Sequence, residues 1–140
     1  MRAFTSARYT VSLGHHSYPM EKYRLVPERL IAEGVLHDDD VCEPEAASVA
    51  DVLRVHTPEY VDALMNGTLD RKALLRLGLP WSEELVRRAF AVLGGTYHAA
   101  RAALEDGVAA NLAGGTHHAF ADHGEGYCLF NDSAIAARAM

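Results

Sequence analysis

At 140 residues, 49% of them hydrophobic and 23% charged, the chain has the size and balance of one folded domain with a real core, which excludes a disordered or low-complexity reading. A net charge of −6 without a basic stripe argues against nucleic acid as an obligate partner, and no apolar run nears the roughly 18 residues of a membrane span. The N-terminus lacks the apolar segment of a signal peptide, and Cys42 and Cys128 sit in unrelated contexts, so the expected compartment is the cytoplasm.

In chain order, AFTSARYTVSL places Phe4, Tyr9, Val11 and Leu13 among Thr and Ser, which predicts an early strand or a strand plus loop. A turn, GHHSYP, follows. MEKYRLVPERLIAEGVL carries Tyr23, Val26, Leu30 and Ile31 at helical spacing, with Pro27 either kinking the helix or lying near its first turn. Gly34 suits a stop, and Asp38, Asp39 and Asp40 read as solvated loop. Ser48 and Asp51 form a capping-box pattern. In TPEYVDALMNG, Thr57 suits the cap, Pro58 the first helical position and Asn66-Gly67 the stop.

TLDRKALLRLGLP is expected to be loop with a short helical piece. The longest helix should run from its cap at Ser82 to Asp106-Gly107, with Leu85, Ala89, Val92 or Leu93, and Leu104 on its apolar stripe. Its Gly94-Gly95 pair costs about 1 kcal/mol per glycine relative to Ala, which points to close approach by another backbone. VAANLAGG reads as a buried strand feeding a glycine loop, and NDSAIAARAM as a helix opening on Asn131 and Asp132 and lacking a stop signal. The order predicts an α/β fold with a parallel central sheet and a functional loop at the carboxyl end of a strand.

Chemistry concentrates in that loop. The eight histidines form two adjacent pairs and four singles, and one of the pairs, His117 and His118, comes straight after Gly114-Gly115-Thr116. Neighbouring side chains in a regular strand face opposite ways, whereas a backbone released by glycines can aim both rings at one pocket. One imidazole can then act as general base while the other stabilises developing negative charge, provided different partners push their pKa values apart. Other readings are a plain surface loop, a metal-ligand pair, and a phosphate cradle. Zinc sites prefer spaced histidines, and the glycine spacing fits no phosphate-loop motif.

AGGTHHAFADHGEGYCLFNDSAIAA, residues 113–137, resembles the signature of the histone deacetylase superfamily, zinc-dependent deacetylases of acetyl-lysine and acetylated polyamines, with Tyr127 at its aromatic position. YPMEKYRLVPERL, RVHTPEYVDAL and LGGTYHAARAAL resemble its earlier segments in order, closest to the bacterial and class IV-like branch. The resemblance implies a partial arginase/deacetylase-type three-layer fold, with residues 1–140 as the N-terminal portion of a single domain. It implies that His118 is the general base, that His117 is held by a buried carboxylate and contributes charge, and that both lie beside a zinc ion. Gly126 would offer its carbonyl to the substrate amide, Tyr127 would line the channel for the acyl-lysine stem, Cys128 would sit near the metal, and Asn131-Asp132 would be structural.

The family's Asp-x-His zinc ligands and its transition-state tyrosine have no counterpart in this sequence. The expected metal ligands in the chain are therefore none, zinc being held by residues beyond Met140, and the sheet is expected to be short of strands, with an exposed apolar edge. The implied function is hydrolysis of an acyl-amide in acetyl-lysine, acetylpolyamine or a related substrate, with the 140 residues inactive alone. The alternative is an inactive truncated paralogue or an interaction module of the same fold.

The other histidines suggest less. His15-His16 is either part of a rim loop or an ordinary turn, His56 a hydrogen-bonder at a helix corner, His98 a packing residue, and His123 and His37 surface groups. Tyr60 and Trp81 suit core or rim packing.

Overall fold

A computed structural model describes all 140 residues. Three short parallel strands, β1 (Arg2–Phe4), β2 (Val41–Cys42) and β3 (Ala109–Asn111), form a sheet in the order β2-β1-β3. Ala3 pairs with Val41 on one side and Ala110 on the other. Parallel neighbours require long crossovers, and here these are helical. Helix α1 (Lys22–Ala32) joins β1 to β2. Between β2 and β3 lie α2 (Val49–Val52), α3 (Pro58–Asn66), α4 (Arg71–Leu77) and the long α5 (Glu83–Asp106). Helix α6 (Asp132–Ala139) follows the glycine-rich loop and packs on α5, which also packs on β1 and β3.

The expected punctuation operates atom by atom. Thr57 and Ser82 side chains accept from the Tyr60 and Leu85 amides, and Gly67 and Gly107 end their helices at φ of +68° and +81°. Ser48 and Asp51 cap each other reciprocally, and Asn131 accepts from the Ala134 amide at 3.1 Å. The core gathers Leu64, Leu77, Leu85, Leu93, Phe130 and Ile135, all essentially inaccessible to solvent.

Several expectations change in detail. The first strand stops at Phe4 because the Ser6 hydroxyl accepts from the Arg8 amide and starts a 3-10 turn, Ala7–Tyr9, that buries Tyr9. Asp38–Asp40 is a 3-10 turn rather than loop, closed by the Asp40 carboxylate on the His37 amide at 2.9 Å. It delivers the chain into β2, too short to show any alternation in the sequence. Pro27 lies inside α1 without ending it, and of the apolar positions read there only Tyr23 is buried, Val26 and Ile31 being exposed. Leu104 is exposed too, and β3 is half-buried because it is an edge strand. The piece after Asp70 is a capped helix, its carboxylate accepting from the Ala73 amide at 2.7 Å.

Of the chain's glycines, the pair in α5 is the most closely approached. A methyl group at Gly94 would collide with the Glu45 carbonyl oxygen and stand 3.0 Å from the Ala47 amide nitrogen. One at Gly95 would collide with the Tyr9 hydroxyl and come within 2.7 Å of Asn111 Oδ1. Backbone therefore packs on one glycine and a strand-end side chain on the other. Gly94→Ala should lower stability by about 1–3 kcal/mol despite alanine's better helix propensity. The measurement is the urea midpoint by circular dichroism, and an unchanged or raised midpoint would contradict this packing.

Candidate active site

The loop leaves β3 through the Gly114 amide, which donates to the Asn111 carbonyl at 3.0 Å with Gly114 at φ +75°. The Thr116 hydroxyl donates to the Phe130 carbonyl at 2.7 Å, tying the start of the loop to its end. Between these anchors His117 and His118 stand on the surface with ring centroids 4.2 Å apart and ring planes at 38°. The two imidazoles do share one location, as glycine-released geometry allows. His117 Nδ1 lies 3.4 Å from the Gly115 carbonyl, and neither ring forms an ion pair within this chain. The carboxylate that the resemblance implies behind His117 is thus not among the partners that these 140 residues supply.

Behind His118 lies Gly126, so close that a methyl group there would stand 3.2 Å from the His118 ring. Gly126 adopts φ +55° and Tyr127 φ +68°, the one non-glycine residue in the left-handed region. Such a conformation costs a non-glycine residue roughly 1–2 kcal/mol, and three contacts hold it. The Tyr127 amide donates to the Leu77 carbonyl at 2.9 Å, its ring meets Tyr18 edge-on at 5.2 Å, and Gly78 leaves room beside it. The ring is about half exposed (48%) and forms a wall with Tyr18, one residue on from the glycine that backs His118. His16 adds a further edge contact at 6.1 Å, so the 14–19 turn stands at the rim of this surface while His15 is exposed. The Gly126 carbonyl accepts weakly from the Cys128 thiol at 3.6 Å.

No three His, Cys, Asp or Glu side chains converge so as to hold a metal ion. The zinc that the resemblance implies therefore finds no ligand set among these residues.

Sequence reading missed the frame beneath the pair. Asn131, expected only as a helix cap, also donates its carboxamide to the carbonyls of His117 (3.2 Å) and Ala119 (3.1 Å), bracketing His118. His56, read as a hydrogen-bonder at a helix corner, is buried and reaches both Ala121 and Asn131. Nothing in sequence spacing links positions 75 residues apart. Tyr60 donates to the Leu129 carbonyl at 2.7 Å, and the Trp81 indole donates to that of Leu64 at 2.8 Å, both in packing roles. His98 stacks on Phe4. His123, read as surface, is half-buried against Phe120 and paired with Asp122 and Glu125.

Asp132 lies beneath the loop, 2% exposed, where the Thr96 hydroxyl donates to it at 3.4 Å. Burial pushes its carboxyl up to about 7, and Thr116 and Thr96 only partly oppose this. Between the ordinary value of 3.8 and 7 the folded state holds a proton that the unfolded chain has released. The contribution to stability is therefore full in acid and is lost as pH rises through 7. Asp132→Asn should remove this decline, read as denaturant midpoints at intervals from pH 4 to pH 8. An identical pH slope in both proteins would contradict a buried, proton-holding Asp132.

The model of the histone deacetylase domain matches residues 16–140. The chain is 46% identical over 125 residues to an uncharacterised protein of Picosynechococcus sp., covering 89% of this chain and 42% of that protein. It is 32% identical to histone deacetylase 2 of Arabidopsis thaliana (86% and 33% covered) and 31% to the acetoin utilization protein AcuC of Bacillus subtilis (94% and 37%). The fold matches the crystal structure of an HDAC homologue from Aquifex aeolicus with a TM-score of 0.78 at 21% identity, covering 99% of this chain and 40% of that one. The chain thus spans about two fifths or less of the relatives it matches. With the family match running from the rim turn through α6, the chain belongs to the histone deacetylase family.

Proposed function

We propose that residues 1–140 are the N-terminal portion of an amide-hydrolysing domain, and that they supply its proton-transfer pair and part of its substrate wall. The observation that carries this reading is the placement of two imidazoles, 4.2 Å apart, on a loop whose far side turns back to put Gly126 against His118. In this reading His118 accepts a proton from the attacking water and returns it to the departing amine nitrogen. His117 adds positive charge beside the oxygen on which negative charge develops. Gly126 accepts from the substrate N–H, and Tyr127 with Tyr18 flanks an aliphatic stem such as that of acetyl-lysine or an acetylated polyamine. Zinc, where bound, polarises the carbonyl and activates the water; its ligands belong to residues other than these.

The family match supports a deacetylase-type hydrolase, and the acidic surface is compatible with a cationic substrate. The absence of a three-ligand cluster within these residues favours inactivity of the segment by itself. The test is acetate release from acetyl-lysine peptides and acetylated polyamines by the protein that carries this segment, beside residues 1–140 alone. We expect turnover from the former only, with kcat reduced about 10²–10⁴-fold in His118→Ala. Turnover unaffected by that substitution would refute the role of His118. No turnover from any form would favour an inactive paralogue or an interaction module.

A further inference from the structure

We propose that His56 is a positioning residue for the His117-His118 pair, acting through Asn131; the proposal rests on reading that pair as catalytic. His56 lies in the corner between α2 and α3, 2% exposed, its ring between those of Tyr60 and Phe130 at 5.6 Å from each. It is nonetheless bonded at both nitrogens, to the histidine loop and to the cap of α6. The Asn131 backbone N–H donates to Nε2 at 3.0 Å, which requires an unprotonated Nε2. The proton therefore resides on Nδ1 and is donated to the Ala121 carbonyl at 3.3 Å. A neutral imidazole of one tautomer satisfies both bonds; an imidazolium or the other tautomer breaks the bond to Asn131.

Asn131 transmits this placement. With its N–H fixed by His56 and its Oδ1 accepting from the Ala134 amide, its carboxamide nitrogen faces the His117 and Ala119 carbonyls. The two carbonyls flank His118, whose orientation against Gly126 follows from them. The Thr57 amide, next to His56, donates to the Ala121 carbonyl at 2.9 Å as well, so two donors of one corner converge on a single carbonyl of the loop.

The titratable groups around His56 have other partners or face solvent. Arg54 pairs with Asp51 near α2, His123 with Asp122 and Glu125 in the loop, and Asp132 of α6 accepts from Thr96. Arg138 of α6 donates to the Arg54 carbonyl, and Glu59 of α3 is exposed. Burial holds the imidazole below its ordinary value, against the hydrogen bonds to residues 120 and 121. The bond to Asn131 is accordingly present at neutral pH and lost as pH falls.

Two variants separate positioning from mere structural support. His56→Gln can keep an acceptor near the position of Nε2, whereas His56→Asn can keep only a donor near Nδ1. In the protein that carries this segment, His56→Asn should lower kcat at least 10-fold with KM within about twofold, and His56→Gln should restore most of it. Equal losses in the two, or none in His56→Asn, would overturn the proposal. The arm independent of activity is nitrogen-15 NMR of uniformly labelled residues 1–140 across a pH series. We expect His56 protonated at Nδ1 only at pH 7.5, a slowly exchanging Asn131 amide, and His117 and His118 resonances with an added inflection that coincides with the titration of His56. A ring protonated at Nε2, or histidine resonances indifferent to that titration, would overturn it even if a variant failed to fold. If the wild-type protein shows no hydrolysis, the catalytic reading fails, and NMR still decides whether His56 holds the pair in place.

Discussion

Helix α5 reaches both the sheet and the segment after β2 because two consecutive residues near its middle carry no side chain. At Gly94 the helix meets the backbone of Glu45 and Ala47, and the Phe90 carbonyl accepts the Ala47 amide at 3.0 Å. At Gly95 it meets Tyr9 and Asn111, the last residue of β3. The Asn111 carboxamide in turn donates to the Val92 carbonyl and the Thr96 hydroxyl, both at 2.9 Å. The point where the chain leaves the sheet for the histidine loop is thereby pinned to one turn of α5. A larger residue at either position would push the helix off the strand end from which that loop starts.

The loop itself is held from beneath rather than by its own regular structure. Between β3 and α6 the chain makes no strand or helix, so its backbone groups must find partners individually. Asn131 takes two carbonyls, the His56 corner takes Ala121, Leu77 takes the Tyr127 amide, and Tyr60 takes the Leu129 carbonyl. Most of these partners belong to α2, α3 and α4 or to the turns beside them. The small helices, which contribute little to the sheet layer, thus act as the seat of the loop.

This division explains what could be read in advance. Caps, stops and the long helix follow from local chemistry, so Thr57, Ser82, Gly67 and Gly107 announced their elements. The glycine pair announced a close approach but not its partner. The adjacency of His117 and His118 after two glycines announced a shared surface, and the 113–137 pattern announced the family. Strand β2 went unseen because two residues carry no periodicity. Exposure of Val26, Ile31 and Leu104 was misjudged because helical spacing names a face without saying what covers it. The link from His56 to Asn131 was invisible for a different reason: it is a fact of tertiary geometry, and neither residue type announces it.

Tyr127 brings two demands into opposition at a single residue. Its backbone conformation suits glycine or asparagine better than an aromatic residue, while its ring supplies the surface facing Tyr18 and His16. A screen rewarding thermal resistance alone would reward relaxation of that backbone and erode the wall. If the ring lines a substrate channel as proposed, a screen rewarding ligand discrimination would keep the strain. In that reading the wall is a place where selection for durability and selection for recognition pull a library in different directions.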